Sequence, residues 1–145
     1  MRLVIQRVTT AEVFVEGKSV ARIERGFLVL LGAEKGDDPA GADEAARRVA
    51  GLRVFNDENG KMNLDLAAVG GSVLVVSQFT LGADLSRGRR PGFERALAGD
   101  EARPLYDRFV AALSGHGVLV STGCFGAMMQ VSLVNDGPAT FVMDV

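Results

Sequence analysis

Phe27-Leu28-Val29-Leu30-Leu31 is the stretch of this 145-residue chain that says most about its fold. All five side chains are apolar, and successive side chains of a strand point to opposite faces. A strand here would therefore be covered on both sides by other parts of the protein. A second run of this kind, Ser72–Gln78, follows the pair Gly70-Gly71. The two runs predict two buried, central strands.

Shorter alternating segments around these runs predict further strands. Arg2–Thr9 and Ala11–Val15 show period-two character, with Leu3 and Ile5, and then Val13 and Val15, on shared faces. The turn signal Glu16-Gly17-Lys18-Ser19 leads into Val20–Ile23, which predicts a hairpin. Phe55–Gly60 has the composition of a polar turn. The closing strands are predicted at Val118–Ser121, Met128–Val134 and Thr140–Met143.

Two helices are predicted between the strands. Asp38 can accept hydrogen bonds from the free N–H groups that open a helix, and Pro39 suits its first position. Apolar residues then recur every three or four positions as far as Leu52, and a second helix is predicted from about Glu101 to Ser114. The expected fold is α+β: a mostly antiparallel, barrel-like sheet with two helices, in one domain of residues 1–145.

Composition restricts the class of function. A net charge of −2 argues against a broad basic surface, so any nucleic-acid contact is expected to be local. A single cysteine, together with the lack of a long apolar run or a signal peptide, leads us to expect a cytoplasmic protein that no membrane holds. One histidine and one cysteine cannot supply a zinc tetrad, and no Gly-rich phosphate loop occurs. We therefore expect no metal and no cofactor.

The usual nucleophiles find little support in the sequence. His116 lies between two glycines after the second predicted helix, where a solvated position at the helix end is expected. Cys124 has no neighbouring histidine to activate it and is interpreted as a small buried or idle thiol.

Ser77-Gln78-Phe79-Thr80-Leu81 follows the second apolar run and is the first candidate for chemistry. A strand that ends in small polar residues leaves backbone N–H groups free, and such groups can stabilise an oxyanion. Phe79 could stack on a base, while Gln78 could bind a polar edge or hold the loop. The alternative is that the hydroxyls only cap the strand end.

Two further segments are candidates. Asn135-Asp136-Gly137-Pro138 has the composition of a turn between the last two predicted strands, and Gly137-Pro138 is a bond that can be cis. A cis bond there would present two backbone carbonyls to an amine. The cluster Arg87-Gly88-Arg89-Arg90-Pro91 is interpreted either as a solvated loop or as an anchor for one or two phosphates.

With these segments identified, the whole chain resembles the D-aminoacyl-tRNA deacylases of bacteria and eukaryotes. Several motifs in the same order carry the resemblance: Met1–Val8, Gly60–Leu64, Val75–Leu81, Gly88–Pro91, Met129–Val134 and Asn135–Pro138. The family's usual valine, arginine, aspartate and serine are replaced here by Ala139, Cys124, Met128 and Gly92, respectively. The Ala139 and Met128 changes could alter pocket rigidity or tRNA preference.

The resemblance implies hydrolysis of the ester bond of D-aminoacyl-tRNA, and of mischarged glycyl-tRNA, at the 3′ acceptor end. It also implies a homodimer with a cross-subunit active site, in which a cis Gly-Pro bond of one subunit enters the pocket of the other and excludes L-amino acids. The implied pocket residues are Ser77, Gln78, Phe79 and Thr80, with Phe125 and Met129 as walls. The implied chiral filter is Gly137 and Pro138, and the implied phosphate contacts are Arg87, Arg89 and Arg90.

For the chemistry, we expect the N–H groups around Phe79 and Thr80 to hold the oxyanion. Because no histidine is placed to activate a hydroxyl nucleophile, water assisted by the substrate's 2′-hydroxyl is expected to attack, with Thr80 orienting it. Two alternatives stay open: a small-molecule esterase that uses Thr80 or Ser77, and a non-catalytic module that binds the tRNA end.

Overall fold

The computed structural model describes residues 1–86 and 88–145, so Arg87 lies outside the described residues. The elements, in chain order, are β1 (Arg2–Val15), β2 (Lys18–Ile23), β3 (Gly26–Gly32), α1 (Pro39–Ala50), β4 (Phe55–Asn56), β5 (Met62–Leu64), α2 (Leu66–Val69), β6 (Ser72–Ser77), a 3₁₀ turn (Phe79–Gly82), α3 (Gly99–Gly115), β7 (Leu119–Thr122) and β8 (Gln130–Asp144).

The long strand β1 organises the sheet. Its first half pairs antiparallel with β3 and its second half pairs antiparallel with β2, while β8 pairs antiparallel along both halves. Each strand has two edges, so β8 covers one edge of β1, and β3 and β2 share the other. Arg2–Thr9 and Ala11–Val15, predicted as two strands, are therefore one strand.

The two apolar runs form the buried strands that the sequence predicts, and they are neighbours. β3 and β6 pair in parallel, with Phe27 opposite Val73 and Leu31 opposite Ser77, and β6 also pairs in parallel with β7. Phe27 and Val29 face a core that the helices cover, whereas Leu28 packs with Val8 and other residues in a second core on the opposite face. Burial on both faces explains why the central residues of these strands, Phe27–Leu31 and Val73–Val76, are all apolar.

Helix α1 begins where its capping signal predicts. The Asp38 carboxylate accepts a hydrogen bond of 2.8 Å from the N–H of Gly41, and Pro39 is the first helical residue. Helix α3 starts at Gly99, two residues before the predicted start. The four-residue α2, capped by Asp65, and the small antiparallel pair β4–β5 were not predicted, so Phe55 is in a strand and not in a turn.

The last two predicted strands are one strand, β8. Val8 of β1 lies opposite Asn135, but the next pair along is Gln6 with Thr140. Residues 136–139 therefore bulge out opposite the single residue Arg7, and the chain continues in the same direction on both sides. The interpretation of Asn135–Pro138 as a turn between two strands is wrong, because the segment is a bulge within a strand. In the described part of the chain no helix is long and apolar enough to cross a membrane.

Candidate active site

A cavity of about 630 Å³ opens where β3 and β6 end. Leu31 of β3 and Ser77 of β6 lie opposite each other at its floor. Helix α3 supplies a second wall through its first two turns, and the loop between β7 and β8 supplies a third. Crevices at the carboxyl ends of parallel strands are common places for ligands, because the chain leaves the sheet there in loops.

The segment Ser77–Leu81 turns sharply at the end of β6. The N–H of Gln78 donates to the carbonyl of Leu31 at 2.7 Å, and the first hydrogen bond of the 3₁₀ turn runs from the N–H of Leu81 to the carbonyl of Gln78. Because the turn's own bonding begins at Leu81, it uses neither the N–H of Phe79 nor that of Thr80. Phe79 lines the cavity, and Thr80 follows it directly in the chain.

The side chains of this segment have unequal positions. Ser77, Gln78 and Phe79 line the cavity, and the side-chain amide of Gln78 donates to the hydroxyl of Thr80. Thr80 is not among the described residues that line the cavity, and its side chain is exposed. Phe79 is 57% exposed and packs on Phe93, with the ring centroids 5.3 Å apart. Gln78 therefore holds the loop, and Phe79 offers an open aromatic face.

Phe125 and Met129, predicted as pocket walls, both line the cavity from the β7–β8 loop. A methyl group added to Gly123 at the start of this loop would lie 2.7 Å from the sulfur of Met129. A glycine at this position thus leaves Met129 the space that it occupies. Met128, one residue before it, is almost fully exposed at the same rim.

Gly137 and Pro138 lie elsewhere. Their peptide bond is cis, and neither residue is among the described residues that line the cavity. Arg7 of β1 binds the bulge: its Nε lies 2.9 Å from the Asp136 carboxylate and donates a hydrogen bond of 3.2 Å to the Asp136 carbonyl. Its Nη1 donates to the carbonyl of Val54 and, at 3.1 Å, to the side chain of Asn56.

Arg7 is a residue that sequence reasoning missed, although the sequence carries a signal for it. Leu3 and Ile5 occupy the buried face of β1, and Arg7 continues that face with only 4% of its surface exposed. A charged side chain in the buried register of an alternating strand needs partners. Here the partners are the bulge of β8 and strand β4.

Arg89 and Arg90 are not among the described residues that line the cavity. They precede Gly92, whose backbone forms two hydrogen bonds of 2.7 and 3.0 Å with that of Asp84. The Ser86 hydroxyl and N–H lower the pKa of the Asp84 carboxyl below its ordinary value. Arg89 and Arg90 are exposed, and neither forms an ion pair with any residue in 1–86 or 88–145. The predicted contact Arg87 falls outside the described residues.

His116 and Cys124 are the two residues that the sequence did not favour as nucleophiles. His116 ends α3, where its N–H bonds to helix carbonyls. Cys124 is exposed, so the expectation of a buried thiol is wrong, although an idle thiol remains compatible with it. Within the described residues, no three His, Cys, Asp or Glu side chains come together as a group that could hold a metal ion.

Comparisons with known proteins agree over the whole chain. The sequence profile of the family described as D-Tyr-tRNA(Tyr) deacylase matches residues 4–144. The D-aminoacyl-tRNA deacylase of Pelobacter propionicus is 54% identical over 144 residues, which is 99% of each chain. That of Shewanella woodyi is 54% identical over 145 residues, all of both chains.

Solved structures give the same picture of the fold. One titled c-Myc DNA Unwinding Element Binding Protein superposes with a TM-score of 0.94 at 37% identity, covering 100% of this chain and 99% of the other. A probable eukaryotic D-amino acid tRNA deacylase superposes with a TM-score of 0.85 at 19% identity, covering 99% and 98%. The second likeness concerns the fold alone.

Proposed function

The chain belongs to the D-Tyr-tRNA(Tyr) deacylase family and hydrolyses the ester bond of D-aminoacyl-tRNA, and we propose that the cavity at the ends of β3 and β6 is where this occurs. The observation that carries the proposal is the meeting of Ser77, Phe79, Phe125 and Met129 around one cavity. The sequence separates these residues into two distant motifs. A cavity of about 630 Å³ is large enough for a nucleoside that carries an amino acid.

We propose that the N–H groups of Phe79 and Thr80 stabilise the oxyanion that forms when water attacks the ester carbonyl. Both donors are free of the turn's own hydrogen bonds, and preorganised backbone donors are well suited to such charge. The carbonyl carbon gains the hydroxyl of water. The water's proton passes by way of the ribose 2′-hydroxyl to the ribose 3′-oxygen, whose bond to the carbonyl carbon breaks, so that the tRNA leaves with a free 3′-hydroxyl. The Thr80 hydroxyl, which accepts a bond from Gln78, keeps its own hydrogen free to orient the water.

We further propose that Gly137 and Pro138 act on the cavity of a second copy in a homodimer, where their carbonyls bind the substrate's amino group. Arg7, opposite the bulge, and Val13, opposite the cavity residue Val131, lie six positions apart on β1, which is about 20 Å along a strand. This separation between the bulge and the cavity of the same chain supports the placement of Gly137 and Pro138 in the cavity of a partner. Backbone atoms that exclude an L side chain would accept any D-amino acid, and glycine as well.

Arg89 and Arg90 are proposed to contact phosphates near the tRNA end, together with Arg87. Support for Arg89 and Arg90 is that neither forms an ion pair within residues 1–86 and 88–145, whereas Arg95 is paired with Glu34 at 2.9 Å. One or two such contacts suit a chain whose net charge is −2. Because the substrate is aminoacyl-tRNA, we also propose that this single deacylase domain works in the cytoplasm.

The test of the proposed function is deacylation of matched D-tyrosyl-, L-tyrosyl- and glycyl-tRNA by the purified protein. Release of D-tyrosine and glycine with retention of L-tyrosyl-tRNA is expected. Equal rates on the D and L forms would contradict the chiral filter. Hydrolysis of simple activated esters at the same rate as D-tyrosyl-tRNA would favour the esterase, and binding without turnover would favour the binding module.

A mixing experiment tests the shared site. Ala98→Trp would fill the cavity from an exposed position at the start of α3, and Gly137→Val would add bulk to the bulge. If the site is cross-subunit, two inactive variants unfolded and refolded together should regain about a quarter of the wild-type activity, because half the dimers are mixed and each has one intact site. No recovery, or a monomer by light scattering, would contradict the homodimer.

A further inference from the structure

Tyr106 of α3 is buried where two walls of the cavity meet. It is the only tyrosine of the chain, its surface is 4% exposed, and it contributes to the cavity lining. Neither the sequence motifs nor the proposed chemistry assigns it a role. Its contacts run to both of the other walls, to β6 on one side and to the β7–β8 loop on the other.

The Tyr106 hydroxyl contacts the β6 wall. It donates a hydrogen bond of 3.0 Å to the carbonyl of Val75, two residues before Ser77. The N–H of Gly123, where the β7–β8 loop begins, donates to the same carbonyl, also at 3.0 Å. A carbonyl has two lone pairs and accepts both bonds. One atom of β6 therefore joins α3 and the loop at a fixed point behind the cavity.

The Tyr106 ring contacts the loop wall. It meets the ring of Phe125 at 62°, with centroids 5.4 Å apart, an edge-on arrangement that is favourable for two aromatic rings. The guanidinium carbon of Arg103, one turn earlier in α3, lies 5.2 Å from the centroid of the same Phe125 ring. Helix α3 thus holds the position and tilt of the aromatic wall with two side chains.

We propose that Tyr106 is a positioning residue for deacylation: it fixes the distance between the wall that carries Ser77–Thr80 and the wall that carries Phe125 and Met129. The role rests on the proposed location of the reaction in this cavity. A bound nucleoside must present the ester to the N–H groups of Phe79 and Thr80 while its remainder rests against the far wall. A small change in the width of the cavity would displace the ester from those donors.

The Tyr106 hydroxyl is a neutral donor at physiological pH, as an ordinary tyrosine is, and burial raises its pKa further, to about 12. A tyrosine that only filled the core would need some partner for its hydroxyl, and any carbonyl would serve. What distinguishes Tyr106 is that its acceptor, Val75, also anchors the loop of the wall that its ring touches.

The variant Tyr106→Phe distinguishes a hydroxyl that positions the cavity walls from a ring that only fills space in the core. The ring and its contact with Phe125 remain, and the Val75 carbonyl keeps the N–H of Gly123, so no buried acceptor loses its only partner. With D-tyrosyl-tRNA, we expect kcat to fall about fivefold while KM changes less than about twofold. Loss of kcat with little change of KM is typical of a misplaced reacting group.

A matched control is Val49→Ala, a buried residue of α1 that does not line the cavity. It should lower the melting temperature at least as much as Tyr106→Phe does, yet leave kcat unchanged at a temperature where both variants are folded. If Val49→Ala lowers kcat as much as Tyr106→Phe, or if Tyr106→Phe keeps the wild-type kcat, Tyr106 is a core residue only.

The single tyrosine also provides a spectroscopic readout that needs no variant. Protein grown with 3-fluorotyrosine would give one fluorine resonance, that of residue 106. Adenosine alone is the probe, and we expect it to shift this resonance in proportion to occupancy. A resonance that does not respond would overturn both the proposed site and the positioning role. A shift together with an unchanged kcat in Tyr106→Phe would overturn the positioning role alone.

Discussion

Replacing Arg7 by methionine would test whether the bulge of β8 is held for function. The change keeps an unbranched side chain on the buried face of β1 but removes four polar contacts, to Asp136, Val54 and Asn56. Removing one partner of a buried charged pair costs about 3–5 kcal/mol. The Asp136 side chain is 44% exposed and can be hydrated afterwards, so we expect the lower end, about 3 kcal/mol.

This loss predicts separate effects on stability and on activity. For a chain of this size, it should lower the melting temperature by about 10 °C and leave the protein folded at room temperature. Because the bulge carries Gly137 and Pro138, a shift of about 1 Å in its position should reduce kcat/KM for D-tyrosyl-tRNA by about a hundredfold. The measurements are thermal unfolding and deacylation of D- and L-tyrosyl-tRNA at one temperature where all variants are folded.

The matched control is Arg108→Met, which removes the same charge from an exposed pair. Arg108 binds Asp43 through two contacts of 2.6 Å between α3 and α1, away from the bulge. Exposed pairs contribute about 0–1 kcal/mol, so this variant should keep both its stability and its activity. The reasoning is refuted if Arg7→Met loses stability as expected but deacylates D-tyrosyl-tRNA at the wild-type rate and still spares the L form.

Three further results are expected. Gly123→Ala should reduce activity, because its methyl would lie 2.7 Å from the Met129 sulfur and force that side chain to move; wild-type kinetics would show that this wall is not used. Arg89→Ala combined with Arg90→Ala should raise KM for tRNA and lower the slope of log binding against log salt by about 1–2; an unchanged slope would exclude phosphate contacts. Arg47 and Arg48 of the same helix lower the pKa of Glu44 from 4.5 to about 2. The charged form of Glu44 therefore stabilises the fold above pH 4.5, and this stabilisation is lost as the pH falls toward 2. Glu44→Gln should therefore melt below the wild type at neutral pH, and the gap should close on acidification; a constant gap would contradict the ion pairs.

The parts of the fold that the sequence predicts are those with local causes. A continuous apolar run indicates a strand covered on both faces, and the runs Phe27–Leu31 in β3 and Val73–Val76 in β6 lie in such strands. Asp38 followed by Pro39 indicates where a helix begins, and α1 begins there. The parts that the sequence did not predict depend on distant partners. Nothing within Gln130–Asp144 indicates that one strand continues on both sides of the bulge at residues 136–139. Only the pairing register with β1 determines this.

The candidate site divides in the same way. Free N–H groups after Ser77 follow from a strand that ends in a turn, and this could be inferred from the residues alone. That Phe125 and Met129 lie across the cavity from Phe79 could be expected only through the family resemblance, because 45 residues lie between Phe79 and Phe125 and their fold determines the contact. The cavity also contains Tyr106, which belongs to none of the motifs.

Arg7 remains the clearest case in which the fold and the site have different requirements. A leucine or an isoleucine at position 7 would continue the buried face that Leu3 and Ile5 begin, and it would avoid the desolvation of a charge. Buried charged pairs are seldom better for stability than apolar residues of similar volume. Arg7 instead joins two segments by polar contacts, the bulge at Asp136 and the chain at Val54 and Asn56 around the short strand β4. The benefit of the charge is therefore the fixed position of Gly137 and Pro138. For this reason, removing the Arg7 charge should lower kcat/KM for D-tyrosyl-tRNA by more than the loss of folding stability alone explains.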